Sequence, residues 1–263
     1  MYSETVDKIA ILAGKKMHFF KQQGPVFFVY SVLAGIYIGL GVIILLVANA
    51  FIPASLSPAG KFLGAAAFAA ALSLVVMAGA ELFTGNNLII SLGALRKKIS
   101  WKAAAAFWLI NWLGNFLGSL LIAQLYAASG LNAEPIATAI QKTAEAKAAL
   151  AFGPLFFRAV LCNLLVCLAV WCAQKMSSES GKLIMIFWCI FVFVAAGFEH
   201  SIANMTFFSL GLIEQAVTPE IALQQVLIAT LGNFCGAFFL LALPYSLEKS
   251  QAPENAARNK GLK

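Results

Sequence analysis

An all-α membrane protein with six transmembrane helices in an inverted 3+3 repeat, the second and fifth helices discontinuous, is the fold class this sequence predicts. Three observations carry that expectation. Hydrophobic residues make up 61% of the 263-residue chain and charged residues 11%, against roughly 25% charged in ordinary soluble domains. A soluble protein of this length could not hide so much apolar surface. Apolar runs recur at about the 20-residue length needed to cross a hydrocarbon core of about 30 Å. Finally, Glu81-Leu-Phe-Thr-Gly-Asn86 and Glu199-His-Ser-Ile-Ala-Asn204 lie 118 residues apart, each a polar interruption in an apolar run.

The elements follow in order. Residues 3–23 space Val6, Ile9, Ala13, Met17 and Phe20 three or four apart with lysines between them. This pattern predicts an amphipathic helix at the cytoplasmic interface, occupying residues 1–24. No signal-peptide apolar core precedes position 25. The six-helix transport domain is expected over 25–247, with spans near 26–48, 61–82, 103–128, 149–174, 183–198 and 222–246. Short apolar pieces near 86–95 and 201–213 complete the broken second and fifth helices, because non-helical backbone at that depth survives only where protein buries it or a cavity wets it. The longest loop is read at 129–147, and 248–263 reads as a cytoplasmic polar tail.

Two more echoes support duplication. Leu113-Gly-Asn-Phe-x-Gly118 superposes on Leu231-Gly-Asn-Phe-x-Gly236 at the same offset of 118, and Pro25-x-Phe-Phe28 matches Pro154-x-Phe-Phe157 at 129. Gly114, Gly118, Gly232 and Gly236, with Gly35, Gly39 and Gly41 in the first span, follow the small-residue spacing that lets membrane helices approach closely. Fourteen of the 18 basic residues fall on the side shared by both termini: Lys8, Lys15, Lys16, Lys21, Arg96, Lys97, Lys98, Lys102, Lys175, Lys182, Lys249, Arg258, Lys260 and Lys263. That bias places the N- and C-termini in the cytoplasm, and makes the net charge of +7 a topology signal and not a nucleic-acid footprint. The five cysteines all sit in apolar segments without a C-x-x-C pair, which suits small packing side chains.

Polar breaks at matching places in two halves point to a transport site at mid-membrane. Charged groups at such depth cost roughly 2.5–3.5 kcal/mol on insertion scales and are functional candidates; here they are Glu81, Glu199, His200 and Arg158. His200, at the fifth-helix break, is a candidate proton-exchanging group, since imidazole changes charge near neutral pH. Glu81 and Glu199 are expected to accept hydrogen bonds from amides freed at their breaks, with Gly85, Asn86 and Asn204 serving the same irregular backbone. Thr84, whose counterpart is Ile202, is expected to offer a hydroxyl to the solute. Asn163 either holds the imidazole or bonds between helices. Lys147 either draws anions into a vestibule or is a solvated loop lysine. No second histidine or cysteine lies at metal-ligand spacing from His200, so neither metal nor cofactor is expected. An anion entering an apolar constriction faces a large desolvation penalty unless it is neutralised, which favours the anion of a weak acid as cargo.

Ala80-Glu-Leu-Phe-Thr-Gly-Asn86 and Gly197-Phe-Glu-His-Ser-Ile-Ala-Asn-Met205 resemble the two signature segments of the formate/nitrite transporter family, and the resemblance runs from the N-terminal helix to the sixth span. It implies an aquaporin-like protomer in a homopentamer in a bacterial inner membrane. It also implies passage of small monovalent anions such as formate, nitrite or hydrosulfide, often with pH-dependent gating. The resemblance places the central histidine on His200, the mobile threonine on Thr84, the pore asparagine on Asn163 and the vestibule lysine on Lys147. Its apolar constrictions fall on Phe68, Leu72, Leu82, Phe83, Val166 and Phe193. The short link between Ile213 and Ile221 looks like the nitrite branch; Asn86-Asn87 also occurs in hydrosulfide-type members. The alternative is an aquaporin-like channel for neutral solutes, which would use Asn-Pro-Ala at its half-helix tips, a tripeptide this chain lacks. An enzyme is not expected: no G-x-S-x-G or H-E-x-x-H accompanies His200.

Overall fold

In lipid every backbone N–H and C=O must be satisfied within the protein, which leaves helices or a closed barrel as spanning structures. The computed structural model describes residues 2–52 and 57–248, and among these residues all regular structure is helical. Beyond Glu248 the polar tail expected at 248–263, with Lys249, Arg258, Lys260 and Lys263, lies outside the described residues.

The first helix, α1 (Ser3–Gln22), passes through Gln23 into α2 (Gly24–Phe51). Pro25 occupies the first turn of α2, where its missing N–H costs nothing. Next, α3 (Ser57–Phe68) and α4 (Ala70–Leu74) run into a π-helical turn, Val75–Gly79. Three extended residues follow, then α5 (Phe83–Leu95) and α6 (Trp101–Ala128), whose N-cap Ser100 accepts from the Ala103 amide. The segment read from sequence as a plain loop at 129–147 instead contains a 13-residue helix, α7 (Ile136–Ala148). Ile136, Ile140 and Ala144 bury one face of it, a spacing of four that the polar residues between them mask in a hydropathy reading.

Thereafter come α8 (Phe152–Lys175), α9 (Glu179–Ala195), α10 (Ser201–Ile213) and α11 (Pro219–Ala237), the last continuing through a π-helical turn, Phe238–Ala242, into α12 (Leu243–Ser246). Five helical stretches among the described residues are long and apolar enough to cross a membrane: Gly24–Phe51, Ala59–Gly79, Trp101–Ala128, Phe152–Lys175 and Pro219–Ser246. The chain is a multi-pass membrane protein. The stretch expected at 183–198 is the 17-residue α9, which ends at Ala195 and falls short of that length.

Two helix pairs set the geometry: α2 crosses α6, and α8 crosses α11. Glycine permits both contacts. A Cβ on Gly118 would lie 2.0 Å from the Val32 carbonyl oxygen, and one on Gly35 2.2 Å from that of Asn115. At the other crossing, a Cβ on Gly236 would lie 2.2 Å from the Val160 carbonyl oxygen and one on Gly232 2.5 Å from that of Phe156. No side chain fits there.

The apolar stripe of α1 does not face lipid. Val6, Ile9 and Ala13 are fully buried, and Met17 nearly so, against α5 and its neighbours. Its counterpart is α7: Ala13 packs on Gly93 of α5 as Ala144 packs on Gly211 of α10.

Candidate functional site

Each break begins at a glycine in the left-handed region, Gly79 (φ 82°) and Gly197 (φ 76°), where any side chain would be strained. Asparagines then hold the opened backbone. Asn115 of α6 accepts from the Phe83 amide (2.9 Å) and donates to the carbonyl oxygens of Glu81 (2.9 Å) and Ser31 (2.7 Å). Asn233 of α11 accepts from the Ser201 amide (2.8 Å) and donates to the carbonyl oxygens of Glu199 (2.9 Å) and Ala159 (2.7 Å). Both come from the repeated Leu-Gly-Asn-Phe pattern, which in sequence advertises its glycines and not its asparagines. The first break has an extra tie, Asn111, which donates to the Glu81 carbonyl oxygen (2.6 Å) and accepts from Asn86 (2.8 Å).

The carboxylates therefore do something other than receive freed amides, as sequence had suggested. Glu81 Oε2 accepts from Lys16 (2.6 Å) and Asn86 (2.8 Å); Glu199 Oε2 accepts from Lys147 (2.7 Å) and Asn204 (2.8 Å). A charged donor makes the stronger bond to a carboxylate, and α1 and α7 each bring one within reach. Lys147 is thus no solvated loop residue: it also donates to Asn204 Oδ1 (2.9 Å) and lies over the Phe207 ring at 4.8 Å. Lys16, which sequence reasoning left on a surface helix, is its partner in kind. The available signal was Ser91-Leu-Gly93 and Ser209-Leu-Gly211, repeated at the offset of 118 and marking where α1 and α7 dock.

Each ion pair opens on a cavity. One, of about 320 Å³, is lined by Lys16, Glu81, Gly85, Asn86 and Leu82. The other, of about 130 Å³, is lined by Lys147, Glu199, His200, Asn204 and Phe207. Between them lies a void of about 10 Å³ walled by Phe68, Leu72, Leu82, Val166, Phe193 and His200, barely one water's worth of space. Phe83, expected among the constrictions, lines none of the three; it opens α5 and packs into the main core.

His200 is the N-cap of α10. Its Nδ1 accepts from the Ala203 amide (3.1 Å) and its Nε2 meets Thr84 Oγ1 at 2.8 Å. A nitrogen that accepts is unprotonated, so Nε2 carries the hydrogen and donates to Thr84. The Thr84 hydroxyl keeps its own proton to give elsewhere. Because Thr84 lies in the first turn of α5, two helix N-termini meet at this bond, each equivalent to roughly half a positive charge. Asn163 does not hold the imidazole: it donates to the carbonyl oxygens of Asn233 (2.7 Å) and Thr84 (3.3 Å), binding helices together.

A helical membrane protein in which the N-termini of α5 and α10 meet between two lysine-bearing cavities has the form of a transporter or channel. Residues 3–247 match the family model for formate/nitrite transporters, and the chain belongs to that family. It is 37% identical to the nitrite transporter NirC of Escherichia coli (strain K12), covering 96% of this chain and 95% of that one. Among solved structures it is similar to an FNT family ion channel (TM-score 0.87, 35% identity, 92% of this chain and 97% of the other). A pentameric formate channel with formate bound is also similar (TM-score 0.75, 26% identity, 86% and 98%).

Proposed function

We propose that this protein is a channel for small monovalent weak-acid anions, nitrite first, then formate or hydrosulfide. The observation that carries this is the meeting of two helix N-termini at a neutral His200–Thr84 pair between two lysine-lined cavities. In this reading the spans are α2, α3–α4 with α5, α6, α8, α9 with α10, and α11–α12. They form an inverted 3+3 repeat of aquaporin-like protomers over residues 25–247, with residues 1–24 as the cytoplasmic helix. The lysine and arginine bias puts both termini in the cytoplasm of a bacterial inner membrane, so the Lys16 cavity faces inward. The solved relative described as a pentameric formate channel supports a homopentamer.

The charge arithmetic suits an anion. Each cavity holds a lysine already balanced by a glutamate, so an incoming anion competes with that carboxylate instead of meeting a bare charge. At the centre the helix N-termini and the Thr84 hydroxyl present positive ends, with the His200 Nε2–H spent on Thr84, leaving that hydroxyl's own hydrogen to give. The apolar walls around the central void charge a desolvation cost that falls when a weak acid is transiently protonated. Protonating His200 instead requires its Nδ1 to give up the Ala203 amide, so a change in imidazole charge is coupled to the start of α10. That link is a physical basis for pH gating.

Nitrite leads because NirC of E. coli is described as a nitrite transporter and because the link after Ile213 is short. Uptake of nitrite, formate and hydrosulfide into proteoliposomes, at equal gradients, tests the ranking. Nitrite is expected fastest; formate well ahead of nitrite would overturn the preference.

A further inference from the structure

Among the described residues, buried side-chain atoms without a hydrogen-bond partner occur in both half-helices: Ser201 Oγ and Thr206 Oγ1 in α10, and Asn87 Oδ1 and Nδ2 and Ser91 Oγ in α5; only in α5 do they continue a line from the His200 contact. Thr84, Asn87 and Ser91 stand at i, i+3 and i+7, hence along one side of the helix, and all three are fully buried. Thr84 is bonded to His200. Asn87 Oδ1 and Nδ2 and Ser91 Oγ have no hydrogen-bond partner among the described residues. Leaving such atoms dry is costly, and buried water normally takes up groups of this kind, making two to four bonds. An asparagine amide with both a donor and an acceptor free matches water, which also does both, better than it matches an ion.

The matching face of α10 is different. Its corresponding residues are Ile202, Met205 and Ser209, and Ser209 donates to the Met205 carbonyl oxygen at 2.6 Å. The unpartnered Ser201 and Thr206 of α10 stand five residues apart and do not share a face, so the aligned polar stripe belongs to α5. From Thr84 to Ser91 it covers about 10 Å at 1.5 Å per residue, running from the His200 contact toward the Arg96 end of α5. None of Thr84, Asn87 and Ser91 lines the apolar void or either lysine cavity.

We propose that the Thr84–Asn87–Ser91 face of α5 binds a short file of ordered water that gives protons access to the His200–Thr84 pair from the cytoplasmic side, apart from the anion's own route. Water donates to Asn87 Oδ1 and accepts from its Nδ2, and Ser91 Oγ continues the file. At its end a proton from the last water moves onto Thr84 Oγ1 as the hydroxyl's own hydrogen passes to an anion held beside the pair, while His200 keeps its Nε2–H on Thr84 throughout. The charged groups facing His200 are Glu199 beside it and Lys147 of α7 across the shared cavity; Cys167 of α8 contacts Thr84 from behind at 3.4 Å. The stripe brings in no charge of its own and so conducts without holding a proton. The proton role rests on the anion-channel reading; the water site does not.

The test uses Asn87→Met, which installs the residue α10 carries at the matching position, and Ser91→Ala, both in the full chain. A density map of the purified wild type resolving water should show ordered density within hydrogen-bonding distance of both Asn87 and Ser91, lost in Asn87→Met. A dry face, or a direct protein partner for Asn87, overturns the site. In proteoliposomes, nitrite flux should stay within about twofold of wild type in both variants, while nitrite-driven lumenal acidification slows about tenfold, the effect of about 1.4 kcal/mol on a barrier. Acidification unchanged in both folded variants, or absent in a wild type that passes nitrite, overturns the proton route and leaves the channel reading standing. A wild type that passes no anion defeats the channel reading and with it the proton role, while the density map still judges the water.

Discussion

His200 does two jobs with one ring, and a substitution can separate them. Asparagine is a preferred N-cap, so His200→Asn should keep the bond to the Ala203 amide and leave the start of α10 intact while removing the titrating imidazole. The expected outcome is an assembled protein of near wild-type thermal stability whose anion flux varies less with pH than that of the wild type. A pH profile superimposable on wild type would remove His200 from the gating. Lys147 gives a second prediction. Glu199 is 5% exposed, and stripping a buried carboxylate of its partner costs about 3–5 kcal/mol. Lys147→Ala should therefore lower the unfolding temperature markedly, and adding Glu199→Gln should recover most of the loss because a neutral amide tolerates burial. Equal loss in the single and double variants would show that the pair is not coupled. Sequence made both residues visible as polar outliers in apolar surroundings. It did not reveal the pairing of Lys147 with Glu199, since no spacing rule links residues 52 apart.

At the scale of elements, the duplication was legible wherever the two halves kept one register. The offset of 118 picks out Glu81 with Glu199 and Asn115 with Asn233 together. It misses α1 with α7, because Lys16 and Lys147 are 131 residues apart, the segments before each break differing in length. Buried faces interleaved with lysine also read as surface helix or loop until a partner is known. The glycine crossings are the most exacting contacts. Gly118→Ala or Gly236→Ala would force a methyl to about 2 Å from a carbonyl oxygen, and overpacking of this kind typically costs 1–3 kcal/mol or more. Either variant should lose thermal stability in detergent, while Gly14→Ala, with nothing within 4 Å of its Cβ position, should not. Equal stability of Gly118→Ala and Gly14→Ala would mean that the α2–α6 crossing is looser than described.

For the whole molecule, the proposed path runs through the two cavities and the pinch between them, and the Lys–Glu pairs make it almost neutral at both mouths. On the proposed reading, selection for charge then falls on the centre, where two helix N-termini and the Thr84 hydroxyl converge. An aquaporin-like architecture alone does not dictate that outcome; a pore of the same build can favour neutral solutes if its centre lacks such a field. The apolar outer surface, with Phe157, Leu109 and Leu125 about three-fifths exposed, belongs to lipid or to neighbouring protomers, a division that composition could not make because both surroundings favour the same side chains. The most direct test of the central claim is stopped-flow flux into proteoliposomes, comparing nitrite with chloride and glycerol in the same preparation. Nitrite passing well ahead of both is the predicted result. Glycerol passing while nitrite is excluded would contradict the account, because a centre built from two helix N-termini would then not be selecting for negative charge.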